Sequence, residues 1–532
     1  MRVLSPFAPN SILGIGLVSF GVSLCMLTFK TPARFGPVAT FLIILMAAIV
    51  LRSWQLGHPA PWWDELHSLW YIRNSTSHLL DIHRSTDIHP PLYFLTLKGW
   101  SSLFGVSREA SRALSVTLGC FALLLLFFGT RKLFSTPVAL IAVGFFATFP
   151  TAVHYAREIR MYPLLTVWFL LSFLCFAYLY RGMLDKKSPI SAGQRASWIA
   201  GFAVSLALSF YTHYTAALYF MLYTLVGLHV LLRGHRGLFV AVWGGLAIAT
   251  LLVLPQMVQM LQSSLGDPRK SWMAPTTWTV FYSNTLGAYP YPGVLKLGIL
   301  AILGSGLVLM TRRFRDETAI LLFLSVGGML LAAVIGIWEP IYLVRTIQVF
   351  TAFSGVFAAF LLLEMPRWLG LVTGAGLLAL NIATVAINEY PHAREDLLVD
   401  RIGPLVTLLD PASDQVFAKS YPPLIRQMEI YDVPFYDIAQ PISLANLEQQ
   451  IPQVRAAAHS CMGLPQECRA FVLVVEADSD FEKEAVAAWN GLADELRADA
   501  PHFQEGLLVG FRVLALSQDP IFLSQVSNIF SN

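Results

Sequence analysis

The sequence predicts an α-helical membrane protein of about twelve transmembrane helices, followed by a soluble α/β domain. Hydrophobic residues make up 56% of the 532 residues and charged residues only 13%, whereas soluble domains carry about a quarter charged residues. Apolar stretches near the roughly twenty residues that a helix needs to cross the hydrocarbon core recur up to residue 388. After that residue the acidic residues concentrate, with 21 of the 33 Asp and Glu.

The predicted transmembrane segments share high hydropathy and a length close to that of one span. They are 11–29, 36–56, 112–130, 136–153, 161–180, 197–212, 214–232, 238–261, 293–311, 318–338, 341–363 and 368–388. Lys and Arg near the ends of spans are retained in the cytoplasm, and every second connection is basic in this chain. We therefore expect the loops 57–111, 154–160, 262–292 and 338–342 to face outward.

From about residue 389, short β-rich runs alternate with amphipathic helical stretches, which predicts a small α/β domain. This part contains no GxGxxG and no GxxxxGK[ST], so nothing marks a nucleotide site. Cys461 and Cys468 suggest a disulfide in an oxidising compartment, and two free thiols are the alternative. We expect two domains, a transmembrane domain at 1–388 with the outer loop 57–111, and an extracytoplasmic domain at 389–532.

The stretch PWWDELHSLWYI, residues 61–72, places Asp64 and Glu65 among three tryptophans directly after an apolar run. Carboxylates near hydrocarbon are costly unless they are paired or hydrated, which makes them candidates for function. A solvated acidic helix start within an aromatic belt is the alternative. The same loop has more basic charge than an outward loop needs, which favours a site for an anionic ligand. Its basic residues are Arg73, Arg84, Lys98 and Arg108.

The stretch HPPLYF begins at His89, and its two prolines force an extended entry into an aromatic helix. The acidic pair, HPPLYF about two dozen residues later, and a loop ending at 109–115 follow in that order. This order resembles the GT-C glycosyltransferases, and more narrowly the protein mannosyltransferase and aminoarabinose transferase group of bacterial membrane enzymes, which is similar to glycosyltransferase family 39. The resemblance covers residues 36–390, and the extra segment 11–29 departs from the simplest pattern.

The resemblance implies a GT-C-like transmembrane catalytic domain. It also implies transfer of a single sugar from a polyprenyl phosphate to an acceptor hydroxyl at the outer face of the membrane. A sugar hydroxyl is a poor nucleophile, so a positioned carboxylate that takes its proton contributes to the rate. We predict Asp64 as this general base, and Glu65 as the alternate base or as a residue that orients the acceptor.

The leaving group of such a reaction is a lipid phosphate, which needs cations or hydrogen-bond donors as negative charge develops on it. Arginine suits this task because its planar fork binds two phosphate oxygens at once. The predicted donor phosphate-binding residues are Arg157, Arg160, Tyr162, Arg345 and Lys270. The predicted residues of the substrate cavity are Asp87, His89, Glu158, His213 and Tyr342.

Structural alternatives accompany these assignments. The turn HYAREIRMYP at 154–163 would be a charged turn with an internal Arg to Glu pair, Arg345 would bridge to Glu339, and Lys270 would be a solvated loop charge. His78 and His83 accompany His89, but their spacing fits no zinc signature. We expect no required metal, and a divalent cation held by Asp64 and His89 is the alternative.

Two other classes of membrane protein compete with this interpretation. A secondary transporter would show inverted repeats with broken helices at the midplane, and an oligosaccharide ligase would use a lipid pyrophosphate donor. The expected partners are a polyprenyl phosphate-linked sugar donor, a lipid, glycan or protein acceptor and membrane lipids, with no nucleic acid. We expect a multi-pass protein of the plasma or inner membrane, with the active site and the C-terminal domain on the extracytoplasmic side.

Overall fold

A computed structural model gives the fold. It describes residues 36–57, 61, 63–85, 89–185, 189–263, 273–388, 408, 414–419, 436–438, 444–463, 470–476, 483–500, 502–508 and 511–531. The predicted span 11–29 and the predicted site residues Asp87 and Lys270 lie outside these residues. The described residues form two compact units. One comprises those within Met1–Leu56 and Asn74–Pro391, and the other those within Gly57–Arg73 and His392–Asn532.

The second unit thus joins a short segment after the first described span to the C-terminal residues. The sequence analysis assigned residues 57–73 to the transmembrane domain at 1–388, and the described residues among them fall within the second unit. The predicted division into two domains stays a prediction. The roles predicted for the two domains stay predictions.

Helices dominate the first unit. In chain order through both units, the helices up to residue 388 are α1 (Gly36–Ser53), α2 (Trp63–Arg73), α3 (Thr76–Ser85), α4 (Leu92–Phe104), α5 (Arg108–Leu133), α6 (Thr136–Thr148), α7 (Pro150–Tyr155), α8 (Tyr162–Leu184), α9 (Ala192–Thr212), α10 (Ala217–Leu232), α11 (Arg236–Ser263), α12 (Trp278–Gly287), α13 (Gly293–Arg313), α14 (Arg315–Leu322), α15 (Gly328–Ile335), α16 (Val344–Ile347), α17 (Ser354–Glu364) and α18 (Arg367–Asn388). Short 3-10 helices lie at Tyr214–Ala216 and Gln348–Phe353, and a π-helical turn lies at Phe323–Gly327. Only α2 belongs to the second unit.

Nine helical stretches of the described chain are long and apolar enough to cross a membrane. They are Gly36–Ser53, Arg108–Leu133, Tyr162–Leu184, Tyr214–Leu232, Arg236–Gln262, Gly293–Arg313, Arg315–Ile335, Val344–Glu364 and Arg367–Asn388. Each overlaps one predicted span, and the predicted span 197–212 lies within α9. The chain is therefore an integral membrane protein with a helical transmembrane part, as predicted. The side of the membrane that each loop faces stays a prediction.

The predicted span 136–153 is not one continuous helix, because the structure divides it into α6 and α7. Phe149 between them has φ −62° and ψ 122°, an extended conformation. A residue that precedes a proline is disfavoured in the helical region, and Pro150 follows here. The shorter helix α6, with 13 residues, is the result.

Helices in the first unit approach each other closely where small residues lie at the crossing. A Cβ on Gly306 of α13 would lie 1.8 Å from the carbonyl oxygen of Phe357 in α17. A Cβ on Gly355 would lie 2.6 Å from the carbonyl oxygen of Ala142 in α6. Glycine at these crossings lets the backbones come together, which is how helices associate in a membrane without a hydrophobic driving force.

The C-terminal part of the second unit contains a five-stranded sheet, which confirms the predicted α/β class. Its strands are β1 (Asp414–Lys419), β2 (Tyr436–Ile438), β3 (Ala470–Glu476), β4 (Phe503–Leu508) and β5 (Phe511–Ser517), and its helices are α19 (Leu444–Gly463), α20 (Lys483–Asp499) and α21 (Pro520–Ser531). The strand order is β2-β1-β3-β5-β4, with β1 parallel to β2 and β3, and β5 antiparallel to β3 and β4.

The core of this sheet lies where α19 and α20 cover it. Phe471 and Leu473 of β3 and Leu514 of β5 are fully buried against apolar residues of both helices. Cys461 at the end of α19 forms a disulfide. Its predicted partner, Cys468, lies outside the described residues.

Candidate active site

Helix α2 carries the acidic pair in its first turn. Asp64 is partly exposed, while Glu65 has 1% of its surface exposed. The hydroxyl of Ser68 donates a hydrogen bond of 3.0 Å to the carbonyl oxygen of Asp64. Carboxylates in the first turn stabilise a helix through its dipole. Of the two side chains, that of Asp64 is the more exposed.

His67 lies one turn after Asp64, and the sequence analysis did not single it out. Its ring meets the ring of Tyr71 edge to face at 4.7 Å and stacks on the ring of Trp70 at 6.1 Å. Residues three apart on a helix share a face, so this spacing was the signal that could have found it.

The predicted phosphate ligand Arg157 lies in the turn between α7 and α8, and 6% of its surface is exposed. Its Nη1 donates to the carbonyl oxygens of Arg52 at 2.9 Å and Trp54 at 2.7 Å. Nη2 lies 3.5 Å from the carbonyl oxygen of Gln55. The last carbonyls of a helix have no partner within it, and a cation there is also favoured by the helix dipole. Arg157 therefore caps the C-terminal end of α1.

A second buried arginine, Arg112, binds the turn that follows α1, residues 54–57. Nη1 of Arg112 in α5 donates to the carbonyl oxygen of Leu56 at 2.8 Å. Within the turn, Gln55 has φ +50°, the left-handed region that side chains other than glycine seldom adopt. Two arginines thus fix the end of α1, from which the chain continues to the acidic pair.

Residues 156–162 of this turn are all buried, and His154 and Tyr155 before them are partly exposed. Nε2 of His154 lies 3.3 Å from Oε1 of Glu158, and the hydroxyl of Ser115 donates to the carbonyl oxygen of Glu158 at 2.5 Å. Glu158 is 5% exposed and Arg160 only 2% exposed. The predicted phosphate-binding role of this turn and its alternative, a charged turn with an internal Arg to Glu pair, both stay predictions.

Tyr162, His213 and His89, which the sequence predicted for the site, come together in the first unit. The ring of His213 lies 5.7 Å from that of His89 and 6.2 Å from that of Tyr162. Tyr155 completes the cluster, with its ring 5.3 Å from Tyr162. The structure therefore unites residues from the HPPLYF entry, the start of α8 and the end of α9.

The hydrogen bonds of His213 indicate which nitrogen of its ring carries the proton. Its Nδ1 accepts from the backbone N–H of Thr215 at 3.1 Å and lies 2.8 Å from the hydroxyl of the same residue. A nitrogen that accepts from a backbone N–H carries no proton, so a neutral ring has its N–H at Nε2. Nε2 of the neutral ring of His213 is therefore a hydrogen-bond donor.

Tyr342 and Arg345 lie at the start of the span Val344–Glu364. The hydroxyl of Tyr342 lies 2.7 Å from that of Thr285, and the side chain of Asn284 donates to the carbonyl oxygen of Tyr342 at 2.5 Å. Arg345 is half-buried in the short helix α16.

Arg52 is a buried residue of this region that the sequence analysis missed. It is 1% exposed, and its Nη1 donates to the carbonyl oxygen of Ala147 at 2.7 Å, at the broken end of α6. It lines a cavity of about 10 Å³ together with Thr166 and Gln348, about the space that one water molecule needs. The signal was an arginine in the last turn of a membrane span, where a charge needs partners.

Metal binding has no described cluster to support it. Over the part of the chain that the structure describes, no group of three or more His, Cys, Asp and Glu side chains could hold a metal ion. Asp64 and His89 belong to different units, so a cation shared between them stays a prediction.

Comparison with known proteins gives two findings. The sequence model of the dolichyl-phosphate-mannose-protein mannosyltransferase family matches residues 88–258. This stretch includes His89, the 154–162 turn and His213. Among curated protein sequences, none matches the chain.

Solved structures show the fold. ArnT from Cupriavidus metallidurans, bound to undecaprenyl phosphate, is 14% identical with a TM-score of 0.57, over 91% of this chain and 98% of that one. The archaeal oligosaccharyltransferase AglB from Archaeoglobus fulgidus, in complex with an inhibitory peptide and a dolichol-phosphate, is 12% identical with a TM-score of 0.54, over 91% of this chain and 74% of that one. The family match and the shared fold together confirm the predicted resemblance to the GT-C glycosyltransferases. At identities below 25%, the solved structures show the fold alone.

Proposed function

From a GT-C fold whose residues 88–258 match a mannosyltransferase family, we propose that this chain is a membrane glycosyltransferase. It moves a single sugar from a polyprenyl phosphate-linked donor to a hydroxyl of a lipid, glycan or protein acceptor at the outer face of the membrane. The observation that carries the proposal is the family match together with an acidic pair on the helix that directly follows α1.

Asp64 is the proposed general base. It takes the proton of the acceptor hydroxyl while the bond from the sugar to the phosphate breaks, and general base catalysis of this kind contributes about 10²–10⁴-fold to the rate. The partial exposure of Asp64 supports this role, since an acceptor must reach the base. The burial of Glu65 suits a residue that orients the acceptor or the base.

The donor phosphate requires positive charge or hydrogen-bond donors close to the breaking bond. Arg160, Arg345 and Lys270 are the proposed cations, and Tyr162 and His213 the proposed neutral donors. Arg157 is also a proposed ligand of the donor phosphate. Its guanidinium in addition caps α1. Asp87, His89, Glu158 and Tyr342 complete the proposed substrate cavity.

Lipid-linked donors are supported by what the solved neighbours bind, undecaprenyl phosphate in ArnT and dolichol-phosphate in AglB. The basic connections of alternate loops support an outward active site and an extracytoplasmic C-terminal domain. An oligosaccharide ligase with a lipid pyrophosphate donor is the second candidate, because AglB shares the fold and the fold does not distinguish the two reactions. A transporter is the remaining alternative.

The test is transfer of radiolabelled sugar in membranes that contain wild-type protein, with a panel of polyprenyl phosphate and polyprenyl pyrophosphate sugars. Wild type should use one monophosphate donor, and Asp64→Asn should lose about 10²-fold or more of the rate. Asp81→Asn is the matched control, because its carboxylate lies on α3, the next helix along the chain, with 72% of the side chain exposed. Full activity of Asp64→Asn would remove Asp64 as the base, and use of pyrophosphate donors alone would favour the ligase.

A further inference from the structure

His83 is a buried histidine outside the predicted site. It forms a hydrogen bond to the backbone of His89, which belongs to the predicted site. His83 lies in the last turn of α3 and is 6% exposed. Its Nδ1 lies 2.7 Å from the carbonyl oxygen of His89. A carbonyl oxygen only accepts hydrogen bonds, so Nδ1 of His83 carries the proton and donates it.

The other nitrogen of His83 has a partner that fixes its protonation state. Nε2 lies 3.1 Å from Nε2 of Gln256 in α11. The amide nitrogen donates only, so Nε2 of His83 accepts, and the ring is neutral with its N–H at Nδ1. The same amide group donates its second hydrogen to the hydroxyl of Tyr214 at 2.7 Å. All donors and acceptors in this chain of bonds are therefore consistent with one tautomer.

The bonds join distant parts of the first unit. Gln256 is 173 residues from His83 along the chain and is 6% exposed. One turn later in α11, the side chain of Gln259 donates to the carbonyl oxygen of Arg84 at 2.9 Å. Two glutamines of one helix thus hold the end of α3.

This chain of hydrogen bonds holds the first residue of the HPPLYF stretch, which leads into α4. His89 precedes Pro90 and Pro91, and the residue before a proline has restricted backbone freedom. Since its carbonyl group also accepts a hydrogen bond from His83, the backbone of His89 is constrained both by the following proline and by this bond. The ring of His89 in turn lies 5.7 Å from that of His213 in the candidate site.

We propose that His83 and Gln256 are positioning residues of the candidate active site, which hold His89 against His213 through the Nδ1–H tautomer of His83. The inference rests on the proposed function for its kinetic consequence, though the tautomer itself is a property of the structure. A displacement of about 1 Å of a residue that positions a substrate can lower the rate by about 10²-fold.

Two conservative variants separate positioning from packing. The side-chain amide of asparagine places its nitrogen near the position of Nδ1, and that of glutamine near the position of Nε2. His83→Asn keeps the bond to His89 and is expected to keep kcat within about threefold of wild type. His83→Gln keeps the contact to Gln256, loses the bond to His89, and is expected to lower kcat by about 10- to 100-fold with a smaller change in KM. His78→Gln, an exposed histidine of the same helix, is the control.

The tautomer is measured independently of activity by ¹⁵N NMR of the full chain with labelled histidine, in which the resonances absent from His83→Asn identify His83. A protonated-type shift at Nδ1 and an unprotonated-type shift at Nε2 are expected, and the reverse pattern would overturn the inference whatever the enzyme does. Equal kcat losses in the Asn and Gln variants, with equal losses of thermal stability, would reduce His83 to a packing residue. Wild-type activity in both variants would also overturn it, whereas wild type without transfer from any donor would count against the proposed function alone.

Discussion

Replacing Arg157 by methionine is expected to loosen the turn that ends α1. In the structure, Nη1 of this buried arginine donates to the carbonyl oxygens of Arg52 and Trp54 at 2.9 and 2.7 Å. A hydrogen bond to a charged group contributes about 1.5–3 kcal/mol, so the loss of two costs at least about 3 kcal/mol. Since about 1.4 kcal/mol is a factor of ten, the turn should open about 100-fold more often.

Hydrogen exchange read by mass spectrometry measures this opening locally. The amides of Trp54 and Leu56 are bonded within the turn, at 3.0 and 3.3 Å, so they exchange when the turn opens. In Arg157→Met these amides should exchange about 100-fold faster than in wild type. Arg157→Lys keeps the charge without the planar fork and should give an intermediate rate.

Arg181→Met is the matched control, because Arg181 also donates to a carbonyl group, that of Leu133, and pairs with Glu317 at 3.0 Å. It should leave exchange at residues 54–56 unchanged. A rise of less than threefold in Arg157→Met, with the other helices protected as in wild type, would show that the guanidinium does not hold the turn.

Three further predictions follow from single residues. Gln55→Gly should stabilise the first unit by about 1 kcal/mol, seen as a higher melting temperature in detergent, because glycine adopts φ +50° without strain; a Gln55→Ala variant should show no gain. Gly306→Ala should destabilise by about 3 kcal/mol, because its Cβ would overlap a backbone oxygen at 1.8 Å. Gly304→Ala in the same helix meets open space, so equal melting temperatures for the two variants would contradict the close crossing. The hydrogen bond from Arg455 lowers the pKa of Glu495. This exposed pair therefore stabilises the folded state slightly at pH values above the ordinary carboxyl pKa. The stabilisation disappears as the pH falls through the lowered pKa of Glu495. Glu495→Gln should therefore melt slightly below wild type at pH 7 and together with it in strong acid, and a difference that grows on acidification would refute the sign.

Most of the transmembrane fold could be predicted from the sequence, since hydropathy over about twenty residues is a local property. The span predicted at 161–180, for example, is the helix Tyr162–Leu184. The sequence analysis missed the break at Phe149. Pro150 was the signal for it, but hydropathy alone did not show the break because the apolar run continues past the proline. The acidic pair was likewise recognised, since its place after a span is visible in the chain.

The sequence predicted some residues of the candidate site but not their contacts, because these contacts join residues that are distant in the chain. The sequence drew attention to the turn that contains Arg157, but not to the carbonyl groups that its guanidinium contacts, which lie 102 to 106 residues earlier. His83 was noted only as a neighbour of His89, because a single histidine on a short helix has no periodicity that marks its role.

The sequence by itself determined that long apolar helices make up the chain up to residue 388, that the tail is α/β, and that an acidic pair begins the helix after the first described span. These features depend on side chains close together in the chain, through hydropathy, periodicity and helix-breaking residues. Only the tertiary structure decided that Arg157 caps α1 and that His83 joins His89 to Gln256. Such bonds depend on how helices separated by a hundred or more residues pack, and local patterns do not encode which distant donors and acceptors that packing brings within 3 Å.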